Sequence, residues 1–531
     1  MDTKALRQKI LDLAIRGKLV PQDPNDEPAE VLLERIREQK QQMFKEGKLK
    51  KKDIKNDTII FKGEDNLHYE KFQDGTVKCI EDEIPFEVPE GWAWCKLNDI
   101  YNFIDYRGAT PTKITNGIPL VTAKNVKSGY IDYTIDDYIS EEEFKERQQR
   151  GISKKGDILF TTEAPLGNAA LADMEKFSAG QRLITFQQYG SKNELINYVM
   201  LMFILSDFFQ QQLYVNKTGS TVAGIKAAIL KTLWIPVPPY NEQLRISNTL
   251  KSAINLIDSI SKNKEILSTS ISNTKSKILD LAIRGKIVPQ DPNDEPASVL
   301  LERIRAEKEE LIKQGKIKRD KKESVIFKGD DNSYYESIGD ETTNIDDEIP
   351  FELPQNWEWS RLQTICYPIT DGTHKTPTYS DTGYIFLSAK NITTGKINWN
   401  DVMYIPKSLH DELYSRISPQ INDILLAKNG TTGVAAIVDR ECEFDIYVTL
   451  ALLRVISNND ILPQYLLKIL ASNTIQDYFN SSLKGIGVPN LHLEHIRTTL
   501  IPIPPINEQK RISKKVDQLF FLLDSIAKNA N

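Results

Sequence analysis

The chain has 531 residues, of which 40% are hydrophobic and 27% charged, which is typical of folded domains and excludes a disordered or fibrous protein. The formal net charge of −6 excludes a chain that is basic throughout, so any nucleic-acid surface has to be a local patch. The longest mostly apolar stretch, 198–205, is too short to cross a bilayer, and the N-terminus lacks the apolar core of a signal peptide. The four cysteines show no metal-binding spacing, so we expect reduced thiols and a cytoplasmic location.

The first feature along the chain is a twenty-residue block, 10–29, which returns as 278–297 with a single difference, Leu19 against Ile287. The copies lie 268 positions apart, about half the chain and far more than the period of a solenoid repeat. The repeat therefore predicts two similar halves related by a pseudo-twofold. Such a two-headed chain would suit two separate half-sites on a duplex.

A helical arm is predicted inside each half. In the first half Asn25 or Asp26 can serve as N-cap, Pro28 lies in the first turn, 31–36 carries the apolar face and Gly47 ends the helix.

A basic stretch follows each arm. The segment 45–55 has six lysines against two acidic residues, a net charge of +4, and 313–322 has five lysines and one arginine against one aspartate, a net charge of +5. These residues could neutralise DNA phosphates, form a solvated helix end whose cations complement the helix dipole, or face a partner subunit. The sequence leaves these alternatives open.

Short apolar runs bounded by Gly, Asn and Pro indicate β-strands. They occur at 118–122 and 157–161 in the first half and at 384–387 and 424–426 in the second. Strands and helices mixed in this way predict an α+β domain with an irregular sheet.

A long helix is predicted from Asn241, as its N-cap, to Arg284, because no Pro or Gly interrupts the segment. Its apolar residues follow alternating steps of four and three, interrupted at Lys264 and Thr274, which is typical of a coiled coil. They are Ile246, Leu250, Ala253, Ile257, Ile260, Leu267, Ile271, Ile278 and Leu281. A continuous helix of this length would span about 66 Å.

The chain ends repeat this helix in two pieces. The C-terminal segment 507–525 copies its first half, and Leu6, Ile10 and Leu13 copy its second half. The two ends placed end to end would rebuild a second helix antiparallel to the first, although each could instead be an ordinary amphipathic surface helix. The predicted domains are a half helix at 1–17, an α+β domain with its arm at 18–240, the central helix at 241–285, a second such domain at 286–506 and a half helix at 507–531.

The repeated Pro-x-Pro-Pro-x-Asn-Glu-Gln at 236–243 and 502–509 resembles the conserved regions of type I restriction–modification specificity (S) subunits. The repeated Leu-Asp-Leu-Ala-Ile-Arg-Gly-Lys, followed by Val-Pro-Gln-Asp-Pro-Asn-Asp-Glu-Pro, supports the same resemblance over essentially the whole chain.

This resemblance implies that each target-recognition domain reads one half of a split double-stranded DNA target. It implies that the helical pair sets the gap between the halves and carries two methyltransferase subunits, with restriction (translocase and endonuclease) subunits joining the complex. It implies no catalytic centre and no cofactor in this chain. S-adenosylmethionine would belong to the methyltransferase, which would modify adenine, and ATP and Mg to the restriction subunit.

Three motifs could contradict this interpretation, and none has the residues its chemistry needs. Val237 stands where an amino-methyltransferase loop requires Asn or Asp, and Asp157 follows 151–156 where a phosphate-binding loop requires Lys. His492 and His495 lie one helical turn apart but have no third metal ligand in the sequence. The remaining alternatives are a two-headed protein scaffold and a stand-alone DNA methyltransferase.

Polar loops in each half supply candidate DNA contacts, because base edges are read by Asn, Gln, Arg, Lys, Ser and Thr. The candidates in the first half are Arg107, Thr110, Lys124, Asn125, Thr162, Glu163, Asn168, Lys217 and Ser220. Those in the second half are Thr373, His374, Lys375, Lys390, Asn391, Lys428, Asn429, Thr431, Lys484 and Asn490. For each of them an ordinary polar turn is the alternative.

The two halves share some of these candidates and differ in others. Lys124-Asn125 and Lys390-Asn391 are common to both halves, so we expect them to serve the frame or a phosphate. Thr162-Glu163 against Lys428-Asn429 differ in charge, which makes them better candidates for distinguishing two half-sites.

Overall fold

The computed structural model describes residues 2–55, 57–106, 110–189, 194–219, 223–319, 323–483 and 490–530. The chain forms two compact units, Met1–Asn263 and Lys264–Asn531, and each is described by itself. Arg107, Ser220 and Lys484, three of the candidate DNA contacts, lie outside the described residues.

Unit 1 mixes helices with short strands. Its helices are α1 (Thr3–Ile15), α2 (Ala29–Lys45), α3 (Lys51–Ile54), α4 (Leu97–Ile100), α5 (Glu141–Arg147), α6 (Asn197–Ile204), α7 (Asp207–Val215), α8 (Ala227–Leu230) and the first part of α9 (Tyr240–Ile283). Its strands are β1 (Ile59–Lys62), β2 (His68–Lys71), β3 (Val77–Cys79), β4 (Ala93–Lys96), β5 (Tyr101–Asp105), β6 (Ile118–Val121), β7 (Tyr138–Ile139), β8 (Ile158–Thr162), β9 (Leu166–Leu171), β10 (Ser178–Ala179), β11 (Leu183–Gln188) and β12 (Trp234–Val237).

The central sheet of unit 1 has the strand order β5-β11-β8-β9, with antiparallel neighbours, and both of its faces are buried. Successive side chains of a strand point to opposite faces. Accordingly Phe160 and Phe186 pack in the core that contains helices α6 and α7, whereas Leu159 and Leu183 pack with Val121 of the small sheet β10-β6-β7. The result is a layered α+β domain.

Two further sheets complete unit 1. Strand β4 pairs with β12, the strand that leads into α9, and the meander β1-β2-β3 follows the arm helix α2. The arm is attached by Lys40, whose buried ammonium group contacts the carboxylate of Asp57 at 2.7 Å and donates to the carbonyl of Asn98 at 3.0 Å.

Unit 2 repeats this plan. Its helices, besides the end of α9, are α10 (Ala297–Lys313), α11 (Leu362–Ile365), α12 (Lys407–Arg416), α13 (Pro463–Leu470), α14 (Asn473–Ser481), α15 (Leu493–Thr498) and α16 (Ile506–Ala530). Its strands are β13 (Ser324–Lys328), β14 (Tyr334–Ile338), β15 (Glu341–Asn344), β16 (Glu358–Arg361), β17 (Cys366–Asp371), β18 (Tyr384–Leu387), β19 (Met403–Ile405), β20 (Ile424–Ala427), β21 (Ala435–Ile437), β22 (Phe444–Ile446), β23 (Leu450–Val455) and β24 (Leu500–Ile503). The central sheet β17-β23-β20-β21 matches that of unit 1 strand for strand, which confirms the internal repeat at the level of topology.

Each unit pairs a chain end with its own part of α9. In unit 1 Arg7 of α1 forms an ion pair with Asp258, while Gln22 farther along the chain contacts Glu242, so the two segments run antiparallel. In unit 2 Lys275 contacts Asp524 of α16. The predicted long helix and its antiparallel partners are therefore present, and the end-to-end arrangement of the two chain termini stays a prediction.

Some local details differ from the prediction. Helix α9 begins at Tyr240, so Asn241 lies inside the helix and does not cap it. The arm helix begins at Ala29 after Pro28 and has no side-chain cap, because Asp26 is held by the guanidinium of Arg245 at 2.6 Å.

The buried face of α1 also differs from the prediction. It consists of Leu11, Ala14 and Ile15, whereas the predicted Leu6, Ile10 and Leu13 are only half-buried. In the part of the chain that the structure describes, no helix combines the length and apolarity needed to cross a membrane.

Candidate nucleic-acid interface

Three strand ends of the central sheet meet at one edge of unit 1. Strand β5 ends at Asp105 and β8 ends at Thr162, while β11 begins at Leu183. The antiparallel register pairs Ile184 with Asp105 and Leu183 with Thr161, so the loops attached to these ends lie side by side. We call the residues 110–112, 162–165, 180–182 and 217–224, as far as they are described, the loop edge of unit 1.

Polar side chains connect these loops. The amide of Gln181 donates to the hydroxyl of Thr110, and the guanidinium of Arg182 contacts the carboxylate of Glu163 at 3.0 Å. Glu163 in turn forms a β-bridge with Gly224. Because Arg182 and Glu163 are both about half exposed, this pair presents a donor and an acceptor to solvent.

Lys217 belongs to the same edge. It is exposed, its ammonium group lies 5.4 Å from the ring centre of Tyr214, and the next residue, Thr218, bridges to Gly224. Thr162 is buried and its backbone carbonyl accepts from Ile225 N–H at 3.0 Å, so Thr162 fixes the loop and does not reach outward.

Unit 2 has an equivalent loop edge with different chemistry. Asp371 ends β17, and its carboxylate is paired with the ammonium of the buried Lys428, which follows β20. The exposed His374 lies 3.3 Å from the other carboxylate oxygen of Asp371. Asn429 and Asn490 form a β-bridge beside Lys428. The loop edge of unit 2 therefore consists of 371–375, 428–432, 447–449 and 490.

A turn of the same geometry lies next to each loop edge. In unit 1 the buried Asn125 accepts from Thr122 N–H at 2.9 Å and donates to the carbonyls of Asp132 and Ile135 at 3.0 and 2.9 Å. These bonds leave Lys124, the residue before it, exposed.

The turn in unit 2 is built in the same way. Asn391 is buried, accepts from Ser388 N–H at 2.8 Å and donates to the carbonyl of Asp401 at 2.7 Å, and Lys390 is exposed. The buried asparagines thus hold the backbone of the turns, whereas the lysines are the side chains that both turns expose to solvent.

Helix α5 ties the small sheet of unit 1 to its loop edge. The guanidinium of the buried Arg147 donates to the hydroxyl of Ser178 at 3.0 Å and to the carbonyl of Ala179 at 2.7 Å. It also lies 5.0 Å from the ring centre of Tyr106, the last described residue before the edge. Burial raises the pKa of the Tyr106 hydroxyl, so this residue stays neutral and anchors the loop.

In unit 2 helix α12 supplies a histidine to the small sheet. His410 stacks on Tyr384 with ring centres 3.6 Å apart and shares a hydrogen bond with Asp445 at 2.7 Å. Burial raises the pKa of the Asp445 carboxyl. The two units therefore use unrelated side chains to brace the same part of the fold.

The predicted contacts divide by exposure. Those exposed to solvent are Thr110, Lys124, Lys217, His374, Lys375, Lys390 and Thr431. Those half-buried are Glu163, Asn168, Thr373, Asn429 and Asn490, and those buried are Asn125, Thr162, Asn391 and Lys428. Asn168 donates its amide to the carbonyl of Val126 at 3.0 Å, which is a frame contact.

Sequence reasoning missed two polar side chains of the loop edge of unit 1, the half-buried Gln181 and the exposed Arg182. Both follow Gly180 and precede the apolar strand β11. A polar turn of this kind before a buried strand is the signal that could have identified them.

Two motifs considered in the sequence can be compared with the described residues. In these ranges no group of three or more His, Cys, Asp or Glu is placed to hold a metal ion. Val237, at the position of the methyltransferase-like motif, is fully buried in strand β12.

Known proteins resemble this chain over most of its length. The family model of the type I restriction modification DNA specificity domain matches residues 89–268 and again 354–531. The chain is 31% identical to the type I restriction enzyme EcoAI specificity subunit of Escherichia coli, in an alignment that covers 97% of this chain and 88% of that protein. It is 28% identical to the EcoEI specificity subunit of the same species, covering 98% and 90%.

A solved structure supports the fold. A chain from a study of complex assembly and conformational transition of the type I R-M system superposes with a TM-score of 0.54 at 16% identity, covering 84% of this chain and 94% of that chain. The arm and meander segments 18–88 and 286–353 lie outside the two family-model matches.

Proposed function

Because the chain belongs to the family of type I restriction–modification DNA specificity proteins, we propose that it reads a split double-stranded DNA target, one half with each loop edge. As a member of this family it is a recognition subunit and not a catalytic one. The observation that carries the proposal is a pair of units with one frame and two different loop edges. Glu163 and Arg182 stand in unit 1, whereas Asn429 and His374 stand in unit 2.

Shared and different residues would have different roles. Lys124 and Lys390 are exposed on identical turns, so they contact what both half-sites have in common, the phosphate backbone. Residues that differ between the loop edges contact base edges, which carry the sequence. The buried candidates Asn125, Asn391, Thr162 and Lys428 hold these side chains in place.

The paired helices would act as the spacer between the half-sites and as the platform for two methyltransferase subunits, with restriction subunits joining the assembly. S-adenosylmethionine would be bound by the methyltransferase, and ATP and Mg by the restriction subunit. The domain limits 1–17, 18–240, 241–285, 286–506 and 507–531 and the cytoplasmic location stay predictions.

A domain exchange tests the proposal. Residues 100–235 are replaced by the equivalent segment of a relative with a known target, and the chimera is expressed with its partner methyltransferase. We expect one half of the methylated sequence to change while the other half stays the same. An unchanged target would show that these loops do not read DNA, as a protein scaffold would predict.

A further inference from the structure

The first two turns of α9 carry three polar side chains, Glu242, Gln243 and Arg245, that bind other segments of unit 1. The carboxylate of Glu242, almost completely buried, accepts from the indole N–H of Trp92 at 2.9 Å and from the side-chain amide of Gln22 at 3.1 Å. The guanidinium of Arg245 contacts Asp26 at 2.6 Å. We call Gln22, Asp26, Trp92, Glu242 and Arg245 the helix-start joint of unit 1.

The neighbouring residue extends the joint to the core helices. The buried side chain of Gln243 accepts from the N–H of Ile196, the residue before α6, at 2.8 Å and donates to the carbonyl of Pro238 at 3.0 Å. The residue before β4, the segment that contains Gln22 and Asp26, and the start of α6 therefore all contact the beginning of α9.

Unit 2 repeats the joint bond for bond. Glu508 accepts from the indole N–H of Trp357 at 2.9 Å and from the amide of Gln290 at 2.8 Å. Arg511 contacts Asp294 at 2.6 Å. This network is identical in two units whose loop edges differ, so its role is common to both.

The burial of the helix-start joint costs free energy, because it removes charged groups from water. Burial raises the pKa of both Glu242 and Glu508, which reflects the cost of removing a carboxylate from water. Apolar side chains of similar size would pack there without that cost. The polar network instead fixes the orientation of α9 relative to the segments it contacts, because hydrogen bonds weaken steeply when their angles change.

The joint lies at the junction between α9 and the two-stranded sheet β4-β12, and β4 continues through α4 into β5 of the central sheet that carries the loop edge. Trp92 directly precedes β4, and β4 pairs with β12, the strand that leads into α9. Gly17 packs against Pro89 so tightly that an added Cβ atom would lie 2.3 Å from the proline ring. Few alternative packings are therefore open to this junction.

We propose that the helix-start joints fix the angle at which each recognition domain leaves the spacer helix, and that they set, together with helix length, the gap between the two half-sites. Glu242 and Glu508 act as positioning residues that touch no DNA. This inference rests on the proposed function, since it presumes that each unit reads a half-site.

The test compares methylated sites in cells that express the full chain with its partner methyltransferase. Trp92→Phe removes the indole donor, and Trp92→Phe with Glu242→Leu replaces the polar pair by apolar groups. We expect the wild-type half-sites to be methylated also at other gap lengths. The fraction of methylated sites with such a gap should rise about tenfold relative to wild type, which is the population change expected for a lost charge-assisted hydrogen bond. Trp357→Phe with Glu508→Leu should act in the same way.

A matched control is Ser153→Ala, which removes another buried polar contact of unit 1, to Thr185 at 2.8 Å, away from the joint. It should lower the amount of methylation without changing the gap. A single unchanged gap in the folded Trp92→Phe, Glu242→Leu protein overturns the inference, and if that variant does not fold, the same criterion applies to Trp92→Phe alone. Altered half-sites in the joint variants would also overturn it, whereas failure of the proposed function would appear in the wild type as the absence of a split target.

Discussion

At the residue scale, the two units hold an equivalent carboxylate in different ways. In unit 2 Arg454 forms a two-point ion pair with Asp423 at 2.7 and 2.8 Å. In unit 1 the same position is Gln187, whose amide donates to Asp157 at 2.7 Å. Burial raises the pKa of Asp157 to about 6, and the hydrogen bonds from Lys154 N–H and from the Gln187 amide oppose this shift. Unit 1 therefore carries a buried carboxylate at neutral pH that is held by neutral donors.

This difference predicts a pH-dependent stability of unit 1. The pKa of Asp157 in the folded chain lies above that of an unfolded aspartate, about 3.9, so the folded state binds the proton more tightly and gains stability as the pH falls from 7 towards 5. Asp157→Asn should raise the thermal midpoint at pH 7 by about 2–4 °C, and this increase should become smaller as the pH falls through 6 towards 4, as measured by circular dichroism.

Asp423→Asn is the matched control for that prediction. Because it breaks the ion pair with Arg454, it should destabilise unit 2 by about 2 kcal/mol at pH 7. A lower midpoint for Asp157→Asn at pH 7 would contradict the account of the Asp157 carboxylate.

The shared lysines predict a salt effect without a specificity effect. Lys124→Gln and Lys390→Gln should each lower the slope of log K against log salt for the DNA complex by about 1, because one phosphate contact is lost. The preferred half-sites should not change. Lys155→Gln, an exposed lysine at the opposite edge of the sheet, is the control and should leave the slope as it is. A changed half-site preference in Lys124→Gln would assign this residue to base recognition instead.

At the element scale, local sequence patterns predicted the long helix and several strands, whereas the buried face of α1 differs from the predicted one. The absence of Pro and Gly between Pro239 and Gly285 located α9 to within a residue at each end, and strand β18 has the predicted limits. The capping residues were wrong because Asp26 is used by Arg245, a contact across 219 positions that local sequence does not reveal.

The loop edges could be predicted only in part. Polar loops were recognisable, but their assembly depends on the strand order β5-β11-β8-β9, which no local pattern contains. Lys428 was predicted to contact DNA, but the fold buries it beside Asp371. Arg182 was overlooked because it directly precedes a buried strand.

The length of α9 should set the gap between the two half-sites. Deletion of Ser259–Lys262, four residues beyond the Arg7–Asp258 contact, would shorten the helix by about 6 Å and rotate the remaining part by only about 40°. That shortening corresponds to about two base-pair steps. The gap in the methylated target should decrease accordingly, with both half-sites retained. Altered half-sites with the original gap would contradict the spacer role.

At the scale of the whole molecule, one chain carries two copies of one frame. The copies share the sheet order, the asparagine-held turn and the helix-start joint, and they differ at the loop edges. The shared parts can contact the phosphate backbone, which both halves of a split target have in common. The loop edges, which differ, can distinguish the base sequences of the two halves. This division explains why the longest sequence repeats lie around the helices and the divergent segments lie in the loops.

The most direct measurement is the map of methylated bases in the genome of cells that express this chain with its partner methyltransferase. The account predicts one split motif with two different half-sites at a single fixed gap, absent when the chain is omitted. A contiguous motif, or the same methylation without this chain, would contradict it.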